Sequence, residues 1–162
     1  MRRLALPALI VLSVVLVPLV AAAQATTPDD TTHFVRISPA VGVHYGTPLR
    51  LSVAAGGLFD FNGGRNDGVI AMGEMGQRGG QASVGYFRSL RFGQGYDVRA
   101  AVLRTSDDPW KAAENATYLG VEGHLMLLVG VGGRAGWFRR VTAASGPKTY
   151  DNVGMFGVSI GF

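Results

Sequence analysis

Cysteine is absent from this chain of 162 residues, which removes disulfides, thiolate nucleophiles, cysteine-ligated metals and an N-terminal lipid on cysteine in one step. Lysine and glutamate are nearly absent too, at two and three residues. A water-facing surface ordinarily carries many of both. Charged residues make up 16% of the chain, against about a quarter in a soluble domain. The net charge is +4, but Arg2 and Arg3 sit in a leader whose removal lowers it to +2. No basic patch suited to nucleic acid remains. What the chain has in quantity is glycine, 24 residues without a three-residue period, so a collagen helix is excluded.

The N-terminus has three parts. Met1-Arg2-Arg3 is a short basic start, Leu4–Val20 is almost wholly apolar, and Ala21-Ala22-Ala23-Gln24-Ala25 supplies small residues at alternate positions. That is the layout of a secretory signal peptide, with cleavage expected near Ala25. Residues 1–25 are therefore assigned to the leader, 26–32 to a flexible lead-in and 33–162 to one domain. Export through the general secretory route follows from this layout.

From His33 onward the apolar residues alternate with a period of two, the signature of strands with unlike faces. Eight strands are expected, near 33–45, 49–61, 68–76, 80–92, 95–105, 116–125, 127–140 and 149–162. Glycine, proline, asparagine and aspartate punctuate the gaps. Turns are expected near 94 and 126, and Lys111–Glu114 has the composition of one helical turn. Such spacing suits antiparallel hairpins and not βαβ units. Gly130-Val131-Gly132-Gly133-Arg134-Ala135 fits a dinucleotide-binding pattern. That motif requires a following helix, and a glycine-rich strand follows instead.

The two faces differ in a telling way. One carries Val41, Val53, Val98, Val121, Val131 and Ile160. The other carries glycine, serine and alanine with scattered charges: Arg36, Arg50, Asp60, Glu74, Asp97, Arg99, Glu122, His124 and Arg134. In a soluble barrel the apolar face points inward. In a membrane barrel it faces lipid and the polar face lines the lumen. Small residues with a few pairable charges suit a narrow eight-stranded lumen. Arg36, Arg50, Glu74, Asp97, Arg99, Glu122, His124 and Arg134 are therefore expected to form a lumen charge network, centred on Glu74, Glu122, Arg99 and Arg134.

Aromatic residues cluster at strand ends: Tyr45, Trp137 and Tyr150 at one end, Phe59, Phe61, Phe92, Tyr96 and Phe162 at the other. This is the expected arrangement of two interfacial girdles. Arg104 and Arg139 fall on the apolar face near outer strand ends, within reach of lipopolysaccharide phosphates. Arg88 falls on the same face nearer the periplasmic end. His33, His44 and His124 lack metal-ligand spacing and read as lone polar histidines. Neither a metal nor a cofactor is expected.

In the last strand, Phe156, Val158, Ile160 and the terminal Phe162 resemble the C-terminal assembly signal of bacterial outer-membrane barrels. With the leader and eight strands, the chain resembles the small eight-stranded group that includes OmpX and the OmpA barrel domain. The resemblance implies an all-β, antiparallel up-and-down transmembrane barrel in the bacterial outer membrane. It would be a monomer, folded by the outer-membrane assembly machinery, in contact with outer-membrane lipids and lipopolysaccharide. Its lumen would be closed, and its role structural or surface-interacting and not enzymatic. Two alternatives remain open: a soluble periplasmic barrel binding an apolar ligand, and an outer-membrane enzyme that modifies lipids. A lipid A deacylase of this size would show a His-x-Ser pair on a lipid-facing strand, whereas the chain has His124-Leu125-Met126.

Overall fold

A computed structural model describes residues 36–60, 67–90, 93–128, 130–143 and 150–161. The leader, the lead-in, His33, Phe61, Phe92 and Phe162 lie outside the described residues. Eight strands follow in chain order: β1 Arg36–Gly46, β2 Arg50–Asp60, β3 Asp67–Gly76, β4 Gly79–Ser89, β5 Gly95–Thr105, β6 Thr117–Leu128, β7 Val131–Arg140 and β8 Asn152–Gly161. Each pairs antiparallel with its chain neighbour, and β8 returns to β1, closing the barrel. The chain is thus an all-β, closed, up-and-down barrel.

Two local expectations are corrected. β6 continues through Leu128, with a register shift between Met126 and Leu128, so the chain does not turn near 126. The reversal comes at Gly130, whose φ of 75° is accessible to glycine at little cost. Lys111–Glu114 forms no helical turn. Lys111 and Asn115 both have positive φ, which breaks any helical run.

The register fixes the barrel's shape. A path along paired residues runs Arg36, Asp60, Gly68, Phe87, Asp97, His124, Arg134, Gly157 and back to β1 at Gly46. One circuit therefore advances from residue 36 to residue 46, a shear of ten. For eight strands this implies a tilt of about 40° and a backbone radius of about 8 Å.

The alternation puts the greasy side chains outside. Phe156 and Ile160 are 66% and 63% exposed, and Val41, Val43, Val98, Val121, Leu125, Val131 and Val158 share that outer wall. Arg99 and Glu122, by contrast, are each 2% exposed inside. Inward glycines make room for large inward neighbours. Gly85 lies opposite Arg99, and a Cβ there would sit 2.0 Å from the Val98 carbonyl oxygen. Gly120 lies opposite Phe138, with 2.1 Å to the Trp137 carbonyl oxygen.

Both ends of the lumen are filled by apolar side chains. At the end bearing the 106–116 loop, here the upper end, Leu49, Leu103, Tyr118, Phe138, Val153 and Met155 pack with Ala112, Ala113 and Ala116 of that loop. At the lower end Ala40, Ala54, Ile70, Met72 and Phe87 form a second cluster, with Leu58 against it.

Candidate functional site: the charge belt of the lumen

Between the two apolar plugs lies a layer of buried polar side chains to which every strand contributes. β1 gives His44, β2 Ser52, β3 Glu74, β4 Gln81, β5 Asp97 and Arg99, β6 Glu122 and His124, β7 Arg134 and β8 Ser159. Register places several side by side: His44 between Ser52 and Ser159, Glu74 beside Gln81, and Arg99 beside Glu122.

The layer divides into two groups. In the first, Arg134 holds Glu74 with both arms of its guanidinium: Nη1 donates to Oε2 at 2.7 Å and Nη2 to Oε1 at 2.8 Å. Ser52 Oγ donates to the same carboxylate. Arg134 Nη1 also lies 2.9 Å from His44 Nδ1, which is itself 3.3 Å from Glu74 Oε1. One ring nitrogen cannot accept from a guanidinium and donate to a carboxylate at once. The ring tautomer decides which of the two contacts is the hydrogen bond.

In the second group Arg99 Nη2 donates to Asp97 Oδ2 at 2.7 Å and lies 3.4 Å from His124 Nδ1. His124 Nε2 is 3.5 Å from Glu122 Oε2. The His44 and His124 rings meet edge to face, centroids 5.5 Å apart, and join the groups.

Among the described residues, nine buried polar atoms of this layer have no hydrogen-bond partner. They are His44 Nε2, Gln81 Oε1, Asp97 Oδ1, Arg99 Nε, both Glu122 carboxylate oxygens, His124 Nε2, Arg134 Nε and Ser159 Oγ. Donors and acceptors are mixed, and such atoms are ordinarily satisfied by ordered water. A Ser-based acyl-transfer site needs a serine held by a histidine base. Ser52 instead donates to Glu74, and Ser159 Oγ makes no hydrogen bond among the described residues. No group of three or more histidine, aspartate or glutamate side chains among the described residues could hold a metal ion.

Six of the eight residues expected in the lumen network lie in this layer: Glu74, Asp97, Arg99, Glu122, His124 and Arg134. Arg36 and Arg50 do not. Arg36 is exposed at the lower end of β1, and Arg50 sits at the upper rim, 3.7 Å from Asp108. Both face inward by parity, but each begins its strand and so lies at a rim. His44, read as a lone polar histidine, is instead part of the first group. Ser52, Gln81 and Ser159 were not singled out, although their position on the polar face signals them.

Of the aromatic set, Tyr45, Trp137 and Tyr150 are exposed toward the upper end, while Phe59 and Tyr96 are half-buried toward the lower end. Phe156, Val158 and Ile160 point outward from β8. Comparison with protein-family profiles, with curated proteins and with solved structures yields no match.

Proposed function

We propose that this chain is a small integral protein of the bacterial outer membrane, a barrel with a sealed lumen and a structural or surface-interaction role. The observation that carries the reading is the inverted wall, with apolar side chains outside and ionisable ones inside. A soluble barrel that binds an apolar ligand needs the opposite arrangement, with an apolar pocket within. Strands of 10–12 residues at this tilt rise about 25 Å, the height of a barrel's lipid-facing band. Exposed Tyr45, Trp137 and Tyr150 supply an upper girdle, and the secretory leader read in the sequence supplies the route.

The plugs and the charge belt favour a closed bore over a channel. Among the described residues, the belt offers no recognisable nucleophile–base pair to support the lipid-modifying reading. Carbonate and urea extraction of membranes, followed by unheated and heated gel migration, tests the proposal. Retention in the membrane with heat-shifted migration supports it. Release into the soluble fraction overturns it.

A further inference from the structure

The upper rim of the barrel is electrically uneven. Arg50 and Arg78 both face Asp108, at 3.7 and 3.3 Å, and Arg140 pairs with Asp151. Arg104 and Arg139 are different. Both point outward and are exposed, and neither has an acidic partner among the described residues; Arg104 Nη1 donates only to Thr117 Oγ1, at 3.0 Å.

Register locates the two together. Arg104 pairs with Thr117 on β6, and the Val141 amide donates to the Thr117 carbonyl, so Arg139 lies two residues below that level on β7. Each strand crossed in this direction climbs roughly 3 Å, and two residues down a tilted strand descends roughly 5 Å. The two Cα atoms therefore share a height and lie roughly 10 Å apart around the wall.

Around Arg139 the surface is hollowed into an open groove of about 670 Å³, lined by Trp137, Arg140, Thr142, Asp151 and Asn152 among others, with the Asp151 carboxylate held by Arg140. Below the arginines the wall is apolar: Val102, Leu119, Val121 and Phe156 are all exposed. Two unneutralised guanidiniums above hydrocarbon-compatible surface fit an anionic amphiphile with phosphate above and acyl chains below. Trp137 offers a flat face to the apolar side of a sugar ring, and Asn152 and Thr142 offer partners to its hydroxyls.

Resting on the outer-membrane reading, we infer that the upper β5–β8 wall binds a phosphorylated glycolipid of the outer leaflet. Arg104 and Arg139 take its phosphates and Trp137 stacks on its sugar. The opposite half of the rim, from β1 to β4, has no such unneutralised pair among the described residues, so binding is one-sided.

The test uses the full chain refolded in detergent, titrated with purified lipopolysaccharide, with the same glycolipid after phosphate removal, and with phosphatidylglycerol. Wild-type protein is expected to retain lipopolysaccharide at least tenfold better than the dephosphorylated form or phosphatidylglycerol. Arg104→Gln with Arg139→Gln is expected to lose at least tenfold, and Trp137→Leu to lose affinity for the glycolipid alone. Equal binding of the dephosphorylated glycolipid, or an unchanged double variant that still shows heat-shifted migration, overturns the inference. Equal binding of phosphatidylglycerol overturns the sugar assignment. Membrane extraction separates the two levels: a chain that stays in the membrane yet ignores the phosphates refutes only this site.

Discussion

Arg134 on β7 grips Glu74 on β3 across the whole lumen, for in a ring of eight strands these two are diametrically opposed. A cross-wall pair between neighbouring strands would leave the bore open, whereas this one fills it. The pair also ties positions 60 residues apart in the chain.

Removing one partner leaves the other charge buried and alone, which costs about 3–5 kcal/mol, while replacing both with apolar side chains of similar volume is often near neutral. Arg134→Met alone is expected to destabilise the refolded barrel strongly. Arg134→Met with Glu74→Leu is expected to recover most of the loss. Urea unfolding in lipid vesicles, run as a double-mutant cycle, measures the coupling.

Because the pair lies between two apolar plugs, the purified protein is expected to show no steady conductance in a planar bilayer. Stepwise ohmic openings in the wild-type protein would contradict the sealed lumen.

The upper plug depends on Tyr118, whose hydroxyl accepts from the Ala113 amide at 2.9 Å and donates to the Tyr150 carbonyl at 3.1 Å. Tyr118→Phe removes both bonds and leaves a buried amide unsatisfied, at about 1–3 kcal/mol. The barrel is expected to persist while the Ala113 amide exchanges with deuterium much faster.

Glycine positions separate inside from outside. Gly85→Ala is expected to abolish refolding, since its Cβ would overlap the Val98 carbonyl oxygen. Gly73→Ala on the outer wall meets only the Ala55 carbonyl oxygen, at 3.9 Å, and is expected to refold normally. Heat-shifted migration of the two variants distinguishes them.

The period-two pattern carried most of the architecture, because parity along a strand depends only on local sequence. Arg99 and Val121 could be sorted to opposite faces without knowing what either touches. Height was harder to read. Arg36 and Arg50 have inward parity, yet they begin their strands and reach solvent, and the ten-residue stagger that sets such levels is a property of all eight pairings together. His44 was undervalued for a related reason. Its partners, Glu74 and Arg134, are 30 and 90 residues away and meet it only once the ring closes. The turn expected near 126 moved because the bulge between Met126 and Leu128 shifts the register, and nothing in Met126-Leu127-Leu128 announces a bulge.

Trp137 offers the most direct test of the inverted wall, since it is 60% exposed on the outer face of β7. In a Trp110→Phe background it is the sole tryptophan, and its fluorescence can be followed in vesicles whose acyl chains carry bromine at known depths. An outer wall in hydrocarbon predicts strong quenching by shallow bromines and weak quenching by aqueous acrylamide. Strong acrylamide quenching with no response to bromine would place that wall in water and contradict the membrane barrel.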